Sequence, residues 1–302
     1  MNARTVRGSL TGLAAIALLV TAGCSSDASS EPATGTEATS ASEVAEIAAL
    51  VPEDVREAGV LRVGTSAAYP PVSFLDDSGE FVGSDADLAR AVGGVLGLKV
   101  EFENVPFDSV LAGILADRFD AAWSVMSVTN DRMEQVDFVS YLSTGTQALI
   151  FAGNPDNISD EESLCGLSLG VVKGSTQDII AVPNLSAACE EAGLEPIDKV
   201  VYPGQAESNQ ALVAGRVSAT MDVGTVLVWQ EQQNPDVFEV HDGFMIDPAF
   251  QGAPVSKDKP ELGVAIREAT QHLIDNGEYL KILEQWNLEM GAIDEAVLNP
   301  EV

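Results

Sequence analysis

Short apolar runs alternate with longer amphipathic segments from Val60 onward. Val60-Leu-Arg-Val-Gly-Thr65 reads as a buried strand that ends in a turn. Asp85 to Leu96 reads as a helix, because Leu88, Ala91, Val92 and Val95 recur on one face at helical spacing. Lys99 to Asn104 alternates as a strand does. Asp108 to Ala116 reads as a helix with Val110, Leu111, Ile114 and Leu115 facing a core, and Ala121 to Met126 as the next strand. Helices between successive strands imply parallel pairing, hence an α/β lobe.

A second series begins after Gln147. Leu167 to Val172, Lys199 to Tyr202 and Ala219 to Val223 read as strands. Gly174-Ser175-Thr176 reads as a turn opening a helix, Gln205 to Ala214 as a helix closed by Gly215, and Gly224 to Gln232 as another. From Pro260 through Ile274 and Gly277 to Trp286 the pattern is helical again. Two α/β lobes are therefore expected, one from residues 44–147 with 250–302, the other from residues 148–249. The chain crosses between them near Gly145–Phe151 and Ile246–Gly252.

The N-terminus follows a different logic. Arg4 and Arg7 precede an apolar run from Leu13 to Val20, which ends in Thr21-Ala22-Gly23-Cys24-Ser25-Ser26. Basic residues, an apolar stretch too short to span a bilayer and small residues before a cut site make residues 1–23 an export signal. The ending resembles a bacterial lipobox, which implies lipidation at Cys24, although Thr21 stands where a leucine is usual. Residues 24–43 hold almost only Ser, Ala, Thr, Glu, Gly and Pro. Such a stretch lacks the apolar surface to offset its ordering entropy, so it reads as a tether from the membrane.

The net charge of −32 becomes more negative once Arg4 and Arg7 are removed with the signal. That repels nucleic acid and anionic lipid, and it fits either a solvated acidic surface or attraction of cationic solutes. With Cys24 assigned to lipid, Cys165 and Cys189 remain in a compartment that permits disulfides, and a bond between them is expected over two buried thiols. No CxxC pair exists, and His241 and His272 are isolated, so no metal site is expected.

Several stretches then match one family. Leu61-Arg-Val-Gly-Thr65, Tyr69-Pro70-Pro71, Phe81-Val-Gly83 with Asp85 and Asp87-Leu88-Ala89, Asp120-Ala121, Thr129, Arg132 and Val136-Asp137-Phe138 resemble the extracellular solute-binding proteins of family 3, the polar amino-acid type. Lys173-Gly174-Ser175-Thr176-Gln177, Ala211-Leu212-Val213-Ala214-Gly215-Arg216, Asn276-Gly277-Glu278-Tyr279 and Trp286 continue the match over about residues 50–290. The resemblance implies a two-lobe, periplasmic-binding-protein-like (type II) fold with a central ligand cleft. It also implies a lipid-anchored monomer on the extracellular face of the membrane, which delivers a carboxylate-bearing solute to an ABC permease without a cofactor.

The resemblance assigns Arg132 to the ligand's carboxylate, for which a planar donor fork is suited. A surface ion pair with Asp131 or Glu134 is the plainer reading. Ser175 and Thr176 fall where a helix start offers donors to an anion, or where a hydroxyl merely caps a helix. Ser124 and Ser127 match strand-end positions that donate hydroxyl and backbone bonds. Tyr69 and Phe107 match apolar or aromatic walls that sandwich the ligand, with simple core as the plainer reading of either. Three positions depart from the family. Val223 stands where an aspartate usually takes the ligand's ammonium, Val125 where glycine or serine is common, and Ser66 where an acidic or polar residue is frequent. Either Asp222 replaces the missing carboxylate, or the ligand is not an ordinary α-amino acid. A dehydratase of the same fold is the alternative. It would need acid–base groups in the cleft, where only Asp222 and Tyr69 are candidates, so no enzyme activity is expected.

Overall fold

The computed structural model describes residues 41–241 and 245–302, with the side chain of residue 247 excluded. The expected export signal, Cys24 and nearly all of the expected tether lie outside the described residues. Among them, no helix is long and apolar enough to cross a membrane.

Thirteen strands are found among the described residues: β1 (Val60–Thr65), β2 (Ala68–Tyr69), β3 (Ser73–Leu75), β4 (Phe81–Val82), β5 (Lys99–Asn104), β6 (Ala121–Ala122), β7 (Met126–Ser127), β8 (Asp137–Phe151), β9 (Ser168–Val172), β10 (Asp198–Tyr202), β11 (Ala219–Val223), β12 (Phe238–Val240) and β13 (Ile246–Val255). The main sheet runs β10-β9-β11-β8-β13-β6-β1-β5. Its two ends are each parallel: β1 pairs with β5 and β6, and β9 with β10 and β11. These are the cores of two α/β lobes. Between them, β8 and β13 run antiparallel, with Ile246 opposite Thr146 and Gly252 opposite Ser140. The stretches expected to carry the chain between lobes therefore lie side by side. A small meander, β2-β3-β4, follows β1, and the cis Pro70–Pro71 bond lies between its first two strands.

The helices are α1 (Ala45–Ala48), α2 (Glu53–Ala58), α3 (Ser84–Val95), α4 (Val110–Leu115), α5 (Asn130–Met133), α6 (Val182–Glu191), α7 (Gln205–Val213), α8 (Gly224–Gln233), α9 (Pro260–Asn276) and α10 (Glu278–Gln285). On α3, Leu88, Ala91, Val92 and Val95 are all buried, against Leu61, Val63 and the α9 residues Leu262, Ile266 and Leu273 of one apolar cluster. Gly277, with φ of +79°, ends α9 and starts α10, a conformation that glycine adopts without steric cost. Cys165 and Cys189 are bonded, their Cα atoms 5.6 Å apart.

Two expectations need correction. Leu115 is exposed and Leu111 only half-buried, because α4 is a six-residue helix whose core side carries Val110 and Ile114, one turn apart. The strand expected over Ala121–Met126 is split into β6 and β7. Val125 between them has φ of +40°, which no ladder accommodates.

Candidate functional site

Parallel α/β sheets place ligands beyond the carboxyl ends of their strands. Here two such sets of ends face one cavity of about 340 Å³. Ser66 follows β1, Asn104 closes β5, and Tyr69 ends β2. From the opposite side come Val172 at the end of β9, Pro203 and Gln205 after β10, and Asp222 and Val223 at the end of β11.

Arg132 is the dominant group. It lies on α5, whose N-terminus is capped by Thr129, and is only 6 % exposed. Its guanidinium donates to Ser127 O at 2.7 Å and, from its other terminal nitrogen, to Gly174 O at 3.0 Å. It stands 6.0 Å from the Phe107 ring centroid. Among the described residues it makes no ion pair, and burial brings its pKa down to about 10. The surface pair with Asp131 or Glu134 is therefore not formed. A desolvated cation with neutral partners favours an anion beside it.

Asp222 is the complementary group, 4 % exposed. Its Oδ1 accepts from the Tyr69 hydroxyl at 2.6 Å and from Val223 N–H at 2.7 Å. Its Oδ2 has no partner, and burial raises its pKa to about 6. Opposite walls are also linked by Ser127 and Thr176, whose hydroxyls lie 3.2 Å apart. The Gly174–Thr176 turn is braced by Asp178: Oδ2 accepts from Gly174 N–H at 3.0 Å, and Asp178 N–H donates to Ser175 Oγ at 3.2 Å. At the rim, Lys173 and Asp108 pair at 2.8 Å.

Val125 is held in its left-handed conformation from behind. Its N–H is shared between Asp85 Oδ2 at 2.8 Å and Tyr141 Oη at 2.9 Å, and the Tyr141 hydroxyl donates to the same Asp85 oxygen at 2.9 Å. Gly83 makes this delivery of Asp85 possible. At φ of +120°, a Cβ there would stand 2.2 Å from Val72 O.

Ser66, Tyr69, Phe107, Val125 and Ser127 line the cavity together with Arg132, Ser175, Thr176 and Asp222. Ser124 does not; it stands behind the wall, its Oγ accepting from Ser66 N–H at 3.3 Å. Asn104, Gln177, Gln205 and Glu207 line the cavity but were not anticipated. Their signal is positional: Asn104 ends a parallel strand, and Gln205 and Glu207 open the helix after one. A second cavity of about 560 Å³ adjoins the first and shares Ser127, Thr176, Gln177 and Val223. Its one acid, Asp131, is exposed, so the charged chemistry resides in the first. No cluster able to hold a metal occurs among the described residues.

A cleft between two α/β lobes, lined by a buried cation and a buried acid, is the architecture of a solute-binding protein. The chain belongs to the bacterial extracellular solute-binding proteins, family 3, whose family model matches residues 61–289. It is 33 % identical over 259 residues to the arginine-binding protein ArgT of Corynebacterium glutamicum, covering 85 % of this chain and 84 % of that one. To the histidine-binding periplasmic protein of Escherichia coli it is 28 % identical over 208 residues, covering 68 % of this chain and 72 % of that one. Among solved structures, an ancestral arginine-binding protein bound to arginine superposes with a TM-score of 0.67 at 32 % identity, over 76 % of this chain and 98 % of that one. The ancestral amino acid-binding protein AncCDT-1, a precursor of cyclohexadienyl dehydratase, does so with 0.67 at 29 %, over 78 % and 98 %.

Proposed function

We propose that this protein is the extracellular solute-binding component of an ABC importer and captures an α-amino acid between its lobes. Arg132 takes the carboxylate with Thr176 and Ser127, Asp222 takes the ammonium, and Tyr69 and Phe107 flank the ligand. The observation that carries this reading is the pairing of two buried, opposite and incompletely satisfied charges in one cavity: Arg132 without an acid, and Asp222 with a free Oδ2. Each is costly when desolvated alone and favourable beside the matching end of a zwitterion. Relatives named for arginine and histidine support the ligand class. The Asp222–Tyr69 pair lacks a histidine or lysine in the cavity lining, which favours binding over dehydration.

Calorimetric titration of the parent and of Arg132→Ala with a panel of amino acids tests this. Losing a buried bidentate partner costs on the order of 2–5 kcal/mol, hence at least about tenfold in affinity. An Arg132→Ala protein that binds as the parent does would overturn the carboxylate assignment. The lobes, 44–147 with 250–302 and 148–249, close as rigid bodies about β8 and β13. The mature protein is a monomer tethered through lipid on Cys24, and Cys24→Ala is expected to release it into the medium with binding intact. Retention of that variant on the membrane would refute the anchor.

A further inference from the structure

Arg132 and Asp222 account for the two ends common to every α-amino acid, and they leave one buried polar atom of the cavity lining unexplained. Gln205, the first residue of α7, lines the cavity and is 3 % exposed. Its Nε2 is committed, donating to Asn209 Oδ1 at 2.9 Å, and Asn209 Oδ1 in turn accepts from the Thr220 hydroxyl at 3.4 Å. Its Oε1 has no partner. A buried amide oxygen left without a donor is unfavourable, and the internal bond to Asn209 keeps the amide from turning its nitrogen to the cavity instead. The wall at this point therefore presents an acceptor and lacks the matching donor.

The charges of the lining point the same way. Among the lining residues Arg132 is the only cation, and the acids are Asp222 and Glu207. A zwitterionic head satisfies Arg132 and Asp222 and leaves Glu207 over. Glu207 is on the first turn of α7, two residues from Gln205, where its carboxylate is exposed. A neutral buried acceptor and an exposed carboxylate in one cavity lining suit a group that carries several N–H donors and a positive charge. They are ill-suited to an aliphatic chain, which would strand the Gln205 oxygen, and to an acidic one, which Glu207 would repel.

We infer that Gln205 is a specificity-determining residue that accepts an N–H from the ligand's side chain, and that with Glu207 it selects amino acids bearing a cationic, N–H-rich terminus. This rests on the proposed binding of the amino-acid head by Arg132 and Asp222.

The test is calorimetric titration of the full chain with three probes of similar length: L-arginine, L-citrulline and L-norleucine. The parent is expected to bind them in that order. Gln205→Leu is expected to shrink the ratio of arginine to norleucine affinity at least about tenfold, the scale of one unmade buried hydrogen bond. Gln205→Glu, which retains an acceptor, is expected to keep that ratio. Glu207→Gln is expected to narrow the gap between arginine and citrulline. An unchanged ratio in Gln205→Leu overturns the inference. Should that variant not fold, the parent's ranking decides, and norleucine bound as tightly as arginine overturns it. Dependence on Arg132 together with a preference for norleucine removes this inference alone. A parent that binds no amino acid, or an Arg132→Ala protein that binds as the parent does, removes the underlying reading.

Discussion

The Tyr69 hydroxyl donates to Asp222 Oδ1 at 2.6 Å, joining residues 153 apart in sequence and on opposite walls of the cavity. The bond satisfies one carboxylate oxygen, while the other has no partner. Burial raises the Asp222 pKa from 3.8 to about 6, so a proton competes for the free oxygen at mildly acidic pH. A bound ammonium favours the ionised form, so affinity is expected to fall as pH drops through about 6. Between pH 7.5 and 5 the loss is roughly tenfold, one pH unit below the pKa. Titration calorimetry at the two values checks this, and Asp222→Asn is expected to bind weakly with little pH dependence.

Stability of the ligand-free protein is expected to move the other way. Burial raises Asp85 to about 7 and Asp222 to about 6, and Asp87 shifts upward for the same reason. A carboxyl whose folded pKa exceeds its unfolded value binds its proton more readily when folded. Its contribution is full below the unfolded pKa of 3.8 and is lost as pH rises through the folded value. Asp76, Asp117 and Asp120 shift downward, so their opposite contribution is lost only below 3.8. The melting temperature at pH 5 should therefore exceed that at pH 7.5. Asp85→Asn should flatten the difference; a parent that melts higher at pH 7.5 would contradict this account.

Tyr141→Phe probes the support behind Val125. It removes one of the two donors to Asp85 Oδ2 and one of the two acceptors for Val125 N–H. A buried carboxylate deprived of a donor costs about 1–3 kcal/mol. Urea unfolding should show a lower midpoint at unchanged slope, and ligand affinity should drop as Val125 loses its fixed place in the wall.

Removing the Cys165–Cys189 bond by paired serine substitutions should cost roughly 3 kcal/mol, from the loop of 24 residues it closes. Denaturant titration measures the loss directly. A midpoint within error of the parent would mean that the unfolded chain gains nothing from release of that loop.

Strands and helices with a strong period were legible in the sequence: β1, β5, β9 to β11, α3 and α7 to α10 all fall within a few residues of expectation. What escaped was long-range in origin. Trp123-Ser124-Val125 has the composition of a strand, and only Asp85 and Tyr141, 40 and 16 residues away, bend it out of the ladder. The long β8 and β13 pair antiparallel with each other across the whole of β9 to β12 and α6 to α8, a partnership that no local pattern marks. Of the cavity lining, Arg132 is marked in the sequence by the family resemblance, and Asp222 as the carboxylate next to Val223. Gln205 reads in the sequence only as the start of a helix, since an unpaired amide oxygen is a property of neighbours and not of the residue.

Bonds that tie one wall to the other include Tyr69–Asp222, Arg132–Gly174, Ser127–Thr176 and Lys173–Asp108, whereas the Gln205 amide bonds within its own side, to Asn209. On the specificity inferred for Gln205, holding the lobes together and choosing the solute fall to separate residues. A lineage could then change its solute by drift at the start of α7, while the closing contacts stay as they were. The same arrangement makes that short stretch the economical place to redirect the receptor to a new nutrient.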